Sequence, residues 1–290
     1  MNSAKLEVQD EGTGEWRSAG PIHLAKSTVS LPVRRQLSKQ VKRCLAPDSN
    51  SKEDRRPYYL FRHAPGEAPN TNLLILLHGS GDTHLPFDKL AQTMKLPQTA
   101  TLAISSLQFE TLPFQLGYTW FQEMDYSTGE AYPRSHSRRL ASIQKVVSKF
   151  TELLSLLLDD QWIIAERIFF MGYGAGASLI MELCQTWSEH SRPSFGGGIC
   201  IGGGSARPVK EFTSKGTPIL LLCGKKDDSF PESRANEAKE YYERACGDAM
   251  VQLHAQPNKG QAMISSAAEM KVVMTFLAPR LVRVSLMGTS

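Results

Sequence analysis

The residues best placed for chemistry in this chain surround a position that has no side chain. The segment Arg167-Ile-Phe-Phe-Met-Gly172-Tyr-Gly174-Ala-Gly176-Ala-Ser-Leu reads as a buried strand, a glycine-framed turn and then an apolar helix. That is the frame of the Gly-x-Ser-x-Gly turn, which lifts its central side chain above a sheet so that a hydroxyl there can act as a nucleophile. Gly174 holds the central place and has nothing to lift. Glycine reaches positive φ without a Cβ penalty, whereas another residue in such a turn bears roughly 1–3 kcal/mol of strain. The segment therefore predicts a geometry and argues against nucleophilic catalysis from its apex.

The elements that would carry this turn alternate between strand and helix from Pro57 onward, the signature of an α/β chain with a mostly parallel sheet flanked by helices. Strands are predicted at Tyr58–Arg62, Leu73–Leu77, Thr101–Ser105, Ile168–Met171, Gly198–Ile201, Pro218–Cys223 and Met250–Ala255. Leu73–Leu77 is a continuous apolar run, as expected of a strand buried on both faces. Helical periodicity marks Ser137–Leu158, and helices are also predicted at Gly176–Trp187, Glu232–Cys246 and Ser265–Leu277. Between Ser106 and Arg134 the alternation stops. That stretch holds ten aromatic or large apolar residues from Phe109 to Tyr132, interrupted by Pro113 and Pro133. It reads either as a lid over a pocket or as a local mini-core on the sheet edge.

Composition narrows the classes. With 290 residues and 41% hydrophobic residues, the chain can build one large α/β domain. No run approaches the roughly 20 apolar residues of a membrane span, and the first residues lack the apolar core of a secretory signal. The five cysteines make no C-x-x-C pair, and Cys200 and Cys223 lie in strand-like apolar runs. A reducing, cytoplasmic setting without a metal site or other cofactor is the expectation. Residues 1–56 read as a basic, poorly ordered leader with 11 Lys/Arg against 7 Asp/Glu, and 57–290 as the domain, where the two classes balance. Val33, Leu37, Val41 and Leu45 recur every fourth residue around the basic run Arg34–Arg43, which predicts a short amphipathic helix. It either docks on the body or touches an anionic membrane surface. Nothing in the chain has the aromatic–basic interleaving of nucleic-acid binding.

Four ordered motifs then carry a resemblance. Leu77-His78-Gly79-Ser80-Gly81-Asp82-Thr83 resembles the His-Gly-x-Gly-Asp-Thr loop of the acyl-protein thioesterase and carboxylesterase family of α/β hydrolases. Trp120-Phe121 is similar to that family's Trp-Phe in the substrate-covering loop, and the turn at Gly172–Gly176 follows in the same order. So do Thr217–Pro231 and Gly260–Met270. The resemblance spans about Pro57 to Leu277 and implies an α/β-hydrolase fold. It also implies a Ser–His–Asp triad, in which serine attacks an acyl carbonyl, histidine takes its proton and aspartate orients the histidine.

Carried over residue by residue, the resemblance puts the nucleophile at Gly174, the acid at Asp227 and the base at Met263. Only the acid is kept. A thioether accepts no proton at neutral pH, so the base is lost along with the nucleophile. The oxyanion donors implied are the backbone N–H groups of Ser80 and Ala175, with Gly79 beside them and Trp120 and Phe121 as ligand contacts. Ser178, Ser80 and His254 are the candidate substitutes, with Asp228 read as a solvated loop charge. Losing nucleophile or base costs about 10⁶ in turnover, leaving about 10³ from backbone donors and binding. Three readings stay open: a non-catalytic module for an acyl chain or acylated protein, a scaffold whose cleft is filled, and a hydrolase using another constellation.

Overall fold

The computed structural model describes residues 7–9, 16–18, 39–45, 58–65, 70–106, 109–113, 117–159, 163–190, 192–205, 216–246 and 250–283. Its centre is the run that the sequence marks as apolar throughout. Strand β4 (Asn72–Leu77) is buried at every residue and lies between two parallel neighbours, β5 (Thr99–Ile104) and β8 (Ile168–Tyr173). Its register pairs Leu74 with Thr101 on one side and with Phe169 on the other. Around it runs a seven-stranded sheet in the order β11-β10-β9-β8-β4-β5-β3. Here β3 is Tyr59–Arg62, β9 Gly197–Ile201, β10 Ile219–Gly224 and β11 Val251–Gln256, and only β3 runs antiparallel to its neighbour. This is the arrangement the resemblance implies.

Alternation along the strands divides the core in two. Leu73, Ile75, Leu77, Ile168, Phe170, Ile219 and Leu221 face α3 (Ser137–Asp159), α4 (Ala175–Glu189) and α5 (Glu232–Cys246). Leu74, Leu76, Phe169, Met171, Leu220 and Leu222 face α2 (His84–Met94) and α6 (Ala267–Leu277). Helix α2 is absent from the sequence expectations. Its first turn carries Pro86, which reads as a breaker, but the N–H that proline lacks is one a first turn leaves unbonded anyway. Thr83 caps the helix, its Oγ1 accepting from Leu85 N–H at 3.4 Å, and Phe87, Ala91 and Met94 form the buried stripe.

The basic helix exists as α1 (39–45), and its apolar face is taken up by the body: Val41, Cys44 and Leu45 are buried in the same core cluster as α3. Arg43 reaches Glu152 of α3 at 3.8 Å. Arg34, Arg35, Val33 and Leu37 lie outside the described residues, as does most of 1–56; within it β1 (Glu7–Gln9) pairs antiparallel with β2 (Trp16–Ser18). No helix among the described residues is long and apolar enough to cross a membrane. The aromatic stretch folds into a two-stranded ribbon of β6 (Glu110–Thr111) and β7 (Tyr118–Thr119), followed by a bridge between Met124 and Ala131.

Candidate active site

The turn from β8 into α4 has the geometry that its glycines foretell. Gly174 adopts φ 52° and ψ −117°, a left-handed conformation that favours glycine. Gly176 permits the close crossing of helix and strand, since a Cβ there would lie 2.3 Å from Leu77 O. At Gly174 the space is open. A β-carbon there would meet Gly79 Cα at 3.9 Å and no other described heavy atom within 4 Å beyond its chain neighbours. A side chain at this position would have room among the described residues.

The loop opposite is held by a histidine that is a strut. His78 is fully buried, its Nδ1 2.7 Å from Gly79 O, and its Nε2 accepts from Ser106 N–H at 2.9 Å. Accepting at Nε2 places the proton on Nδ1, which therefore donates to Gly79. Burial pulls its pKa down to about 4, against the opposing pull of the Gly79 bond and of Asp82, so the ring is neutral at pH 7. Trp120 Nε1–H donates to His78 O at 2.7 Å, and Gly81 N–H donates to Tyr118 O at 3.0 Å, tying the loop to the aromatic stretch. The backbone N–H groups of Ser80 and Ala175 have no acceptor among the described residues, which is the state an oxyanion hole requires.

Asp227 is almost fully buried. Its Oδ1 accepts from Ser229 N–H at 2.9 Å, Ser229 Oγ–H at 2.6 Å and Phe230 N–H at 3.0 Å. Its Oδ2 lies 3.6 Å from the Cβ position of Gly202, where the ring of Tyr173 also packs, Cε2 at 3.3 Å. The ring of Tyr173 thus lies near the Asp227 carboxylate.

The loop that would present the base is equally well built. Lys259 Nζ donates to Met263 O at 2.9 Å and pairs with the Glu269 carboxylate, both side chains being almost fully buried. Glu269 also accepts from Ser265 N–H at 3.0 Å and closes a capping box with Ser266 at the start of α6. Burial pulls the Glu269 carboxyl up, but Lys259 and the bonds from Ser265 and Ser266 outweigh it and leave it below its ordinary value. Met263, Tyr173, Ile264 and Leu90 each pack against the core face that α2 and α6 cover. Together they wall a pocket of about 380 Å³ between α2 and the 263–264 segment, completed by Asp82, Pro86, Phe87, Lys89 and Thr93.

Of the residues singled out in the sequence, Gly174, Gly79, Ser80, Ala175 and Asp227 converge at the C-terminal ends of β4, β8 and β10, and Met263 lines the pocket. Trp120 and Phe121 do not belong to that lining. Both are fully buried, Trp120 against Phe150 at 5.7 Å and Phe121 under the Arg139 guanidinium at 5.6 Å. The candidate substitutes are scattered. Ser178 is inside α4, where its N–H donates to Gly174 O at 2.9 Å. His254 is on the edge strand, 3.2 Å from Gln256 Oε1, and Asp228 is exposed. Cys44, Cys184, Cys200 and Cys223 are buried, and burial pushes the Cys200 and Cys223 thiols up, so no thiolate nucleophile arises from these two.

Sequence reasoning missed Glu123. Its Oε2 accepts from Ser80 Oγ–H at 3.2 Å, Arg139 lies 3.9 Å from its other oxygen, and Ser80 Oγ and Thr119 Oγ1 share a 2.8 Å hydrogen bond. Burial raises the Glu123 carboxyl against the pull of Arg139 and Ser80. The pocket residues of α2 were missed with their helix, and the i, i+4, i+7 recurrence of Phe87, Ala91 and Met94 is the signal that finds it.

A family model for phospholipase/carboxylesterase matches residues 62–280. An uncharacterised hydrolase of Mycosarcoma maydis is 32% identical over 156 residues, 53% of this chain and 56% of that protein. The chain spans about half the length of the curated relatives it matches. Esterase PE8 is similar in structure with a TM-score of 0.63 at 21% identity, covering 77% of this chain and 98% of that one. The acyl-protein thioesterase 2 of Zea mays is similar with a TM-score of 0.59 at 15% identity, covering 78% and 100%. At such identities the structural likeness is one of fold.

Proposed function

This chain belongs to the phospholipase/carboxylesterase family of α/β hydrolases, and from that premise we propose that it is a non-catalytic member that binds an acyl chain or an acylated protein. The observation that carries this reading is the contrast between the two lost positions. Gly174 leaves open space before two unbonded N–H donors, whereas Met263 lends an apolar wall to a pocket. A cleft that had merely decayed would be expected to collapse on itself, since cores pack to the density of organic crystals. A pocket of about 380 Å³ is within the range of small-molecule sites, and Pro86, Phe87, Leu90 and Ile264 offer a chain apolar contact.

The experiment is displacement of a fluorescent acyl probe by medium-chain acyl compounds, with Ile264→Asp as the blocking variant. Saturable binding by the wild type, weakened at least about tenfold in the variant, supports the reading. Absence of binding by a folded wild type favours a scaffold instead.

One observation favours a second reading, a hydrolase using another constellation. Ser80 Oγ–H donates to a carboxylate whose pKa is raised, beside the backbone donors. Labelling by a fluorophosphonate, lost in Ser80→Ala and in Glu123→Gln, would establish it.

A further inference from the structure

His84, the first residue of α2, belongs to the stripe that seats this helix on the sheet, buried with Phe87, Asp88, Ala91 and Met94. It is 5% exposed, and neither of its ring nitrogens has a hydrogen-bond partner among the described residues. A buried polar group without a partner is costly, and phenylalanine or leucine would fill the place without that cost. What histidine alone brings there is a proton that comes and goes near neutral pH.

The titratable and charged groups around it come from three elements. Strands β4 and β5, on which α2 packs, carry no titratable residue. The loop after β4 brings Asp82 and His78, and charge on His84 disfavours charge on the buried His78 ring. Strand β3 brings Arg62, while α2 itself brings Asp88 and the exposed Lys89. Burial disfavours a proton on His84 and Asp88 favours it, burial prevailing.

Asp88 is already engaged at both oxygens. Its Oδ1 accepts from Arg62 Nε–H at 2.9 Å, and its Oδ2 from Arg62 Nη2–H at 2.8 Å and Gln92 Nε2–H at 2.7 Å. The Arg62 fork ties α2 to the edge strand β3. An imidazolium at His84 must therefore compete with Arg62 for Asp88 or leave its burial for water, and either course loosens the first turns of α2. Those turns carry Pro86, Phe87 and Leu90, one wall of the pocket.

We propose that His84 is an acid-sensitive catch for α2. Neutral, it lets the start of the helix lie on the sheet; protonated, it lifts that start and opens the pocket wall. The release of a ligand rests on the proposed acyl pocket, whereas the movement of α2 does not.

The test is hydrogen exchange of the full chain at pH 7.5 and pH 5, expressed as protection relative to the intrinsic rate. A histidine neutral in the closed form and titrating at about 6.5 in the open one shifts that equilibrium by up to roughly thirtyfold over this range. Protection of α2 should fall toward that extent at pH 5 while β4 falls less, and His84→Phe should remove the difference between the two. In the wild type, the ring resonance of His84 should titrate over the same pH range in which α2 loses protection. An α2 that holds its protection at pH 5, or loses it equally in His84→Phe, overturns the proposal. So does a His84 ring that titrates without any loosening of α2. The fluorescent acyl probe should be released at pH 5 by the wild type and kept by His84→Phe. Failure of the probe to bind at pH 7.5, with the α2 exchange as expected, overturns the acyl pocket and supports the catch.

Discussion

A β-carbon placed on Gly174 would meet Gly79 Cα at 3.9 Å, so the apex of the turn between β8 and α4 and the loop after β4 face each other. The distance is ordinary contact for a methyl group, which makes conformation, and not volume, the obstacle to a side chain there. Gly174→Ala is expected to fold and to lose roughly 1–3 kcal/mol of stability from the positive φ alone. Denaturant unfolding checks this. A loss well beyond that range would mean that the space is filled in solution.

Lys259 and Glu269 hold the loop that presents Met263, and both side chains are buried. Removing one member of such a pair strands the other's charge. Lys259→Met is therefore expected to cost about 3–5 kcal/mol in chemical unfolding. The Glu269 carboxyl is held below its ordinary value in the fold. Its contribution is present at neutral pH and is lost as pH falls through the carboxylate range, so wild type and variant should converge in stability under acid.

His78 gives a second pH dependence in a different window. Its pKa is about 4 in the fold against 6.5 for an ordinary histidine, so acid protonates the unfolded chain first. Its contribution is complete above pH 6.5 and is withdrawn as pH falls toward 4, by up to about 3 kcal/mol. Stability measured from pH 7.5 to 4.5 should fall less steeply in His78→Gln. An unchanged slope would contradict a neutral, buried strut.

Trp120 separates the two readings of the aromatic stretch. As a core residue bonded to His78 O, it should cost about 3–5 kcal/mol when truncated to alanine. Trp120→Phe, which loses chiefly that hydrogen bond, should cost about 1–3 kcal/mol and leave ligand affinity in the pocket unchanged. A selective loss of affinity with intact stability would make it part of a lid.

Much of this was legible in the chain because its signals are local. Leu73–Leu77 and Ile168–Met171 announce buried strands by apolar runs, and the glycine-framed turn shows because Gly172 and Gly176 leave no room for a Cβ while Gly174 has positive φ. Asp227 is assigned to the acid position by the resemblance, from the order and spacing of the Thr217–Pro231 motif. Other features were not legible, because they depend on contacts distant in sequence. That Trp120 lies under the loop after β4 follows from its bond to His78, 42 residues away. The pairing of Glu123 with Ser80 spans 43 residues, and the pocket exists because α2 packs beside Met263. The α2 helix itself was masked by Pro86, a breaker everywhere except in a first turn.

The central claim is that an intact cleft surrounds a lost nucleophile and a lost base. Its most direct test is hydrolysis of a short-chain nitrophenyl ester by the wild type and by the Gly174→Ser, Met263→His double variant. The account predicts no enzymatic turnover by the wild type and a gain of at least about 10³-fold in the double variant, with Asp227 completing the restored triad. Turnover by the wild type that survives Asp227→Asn would contradict it.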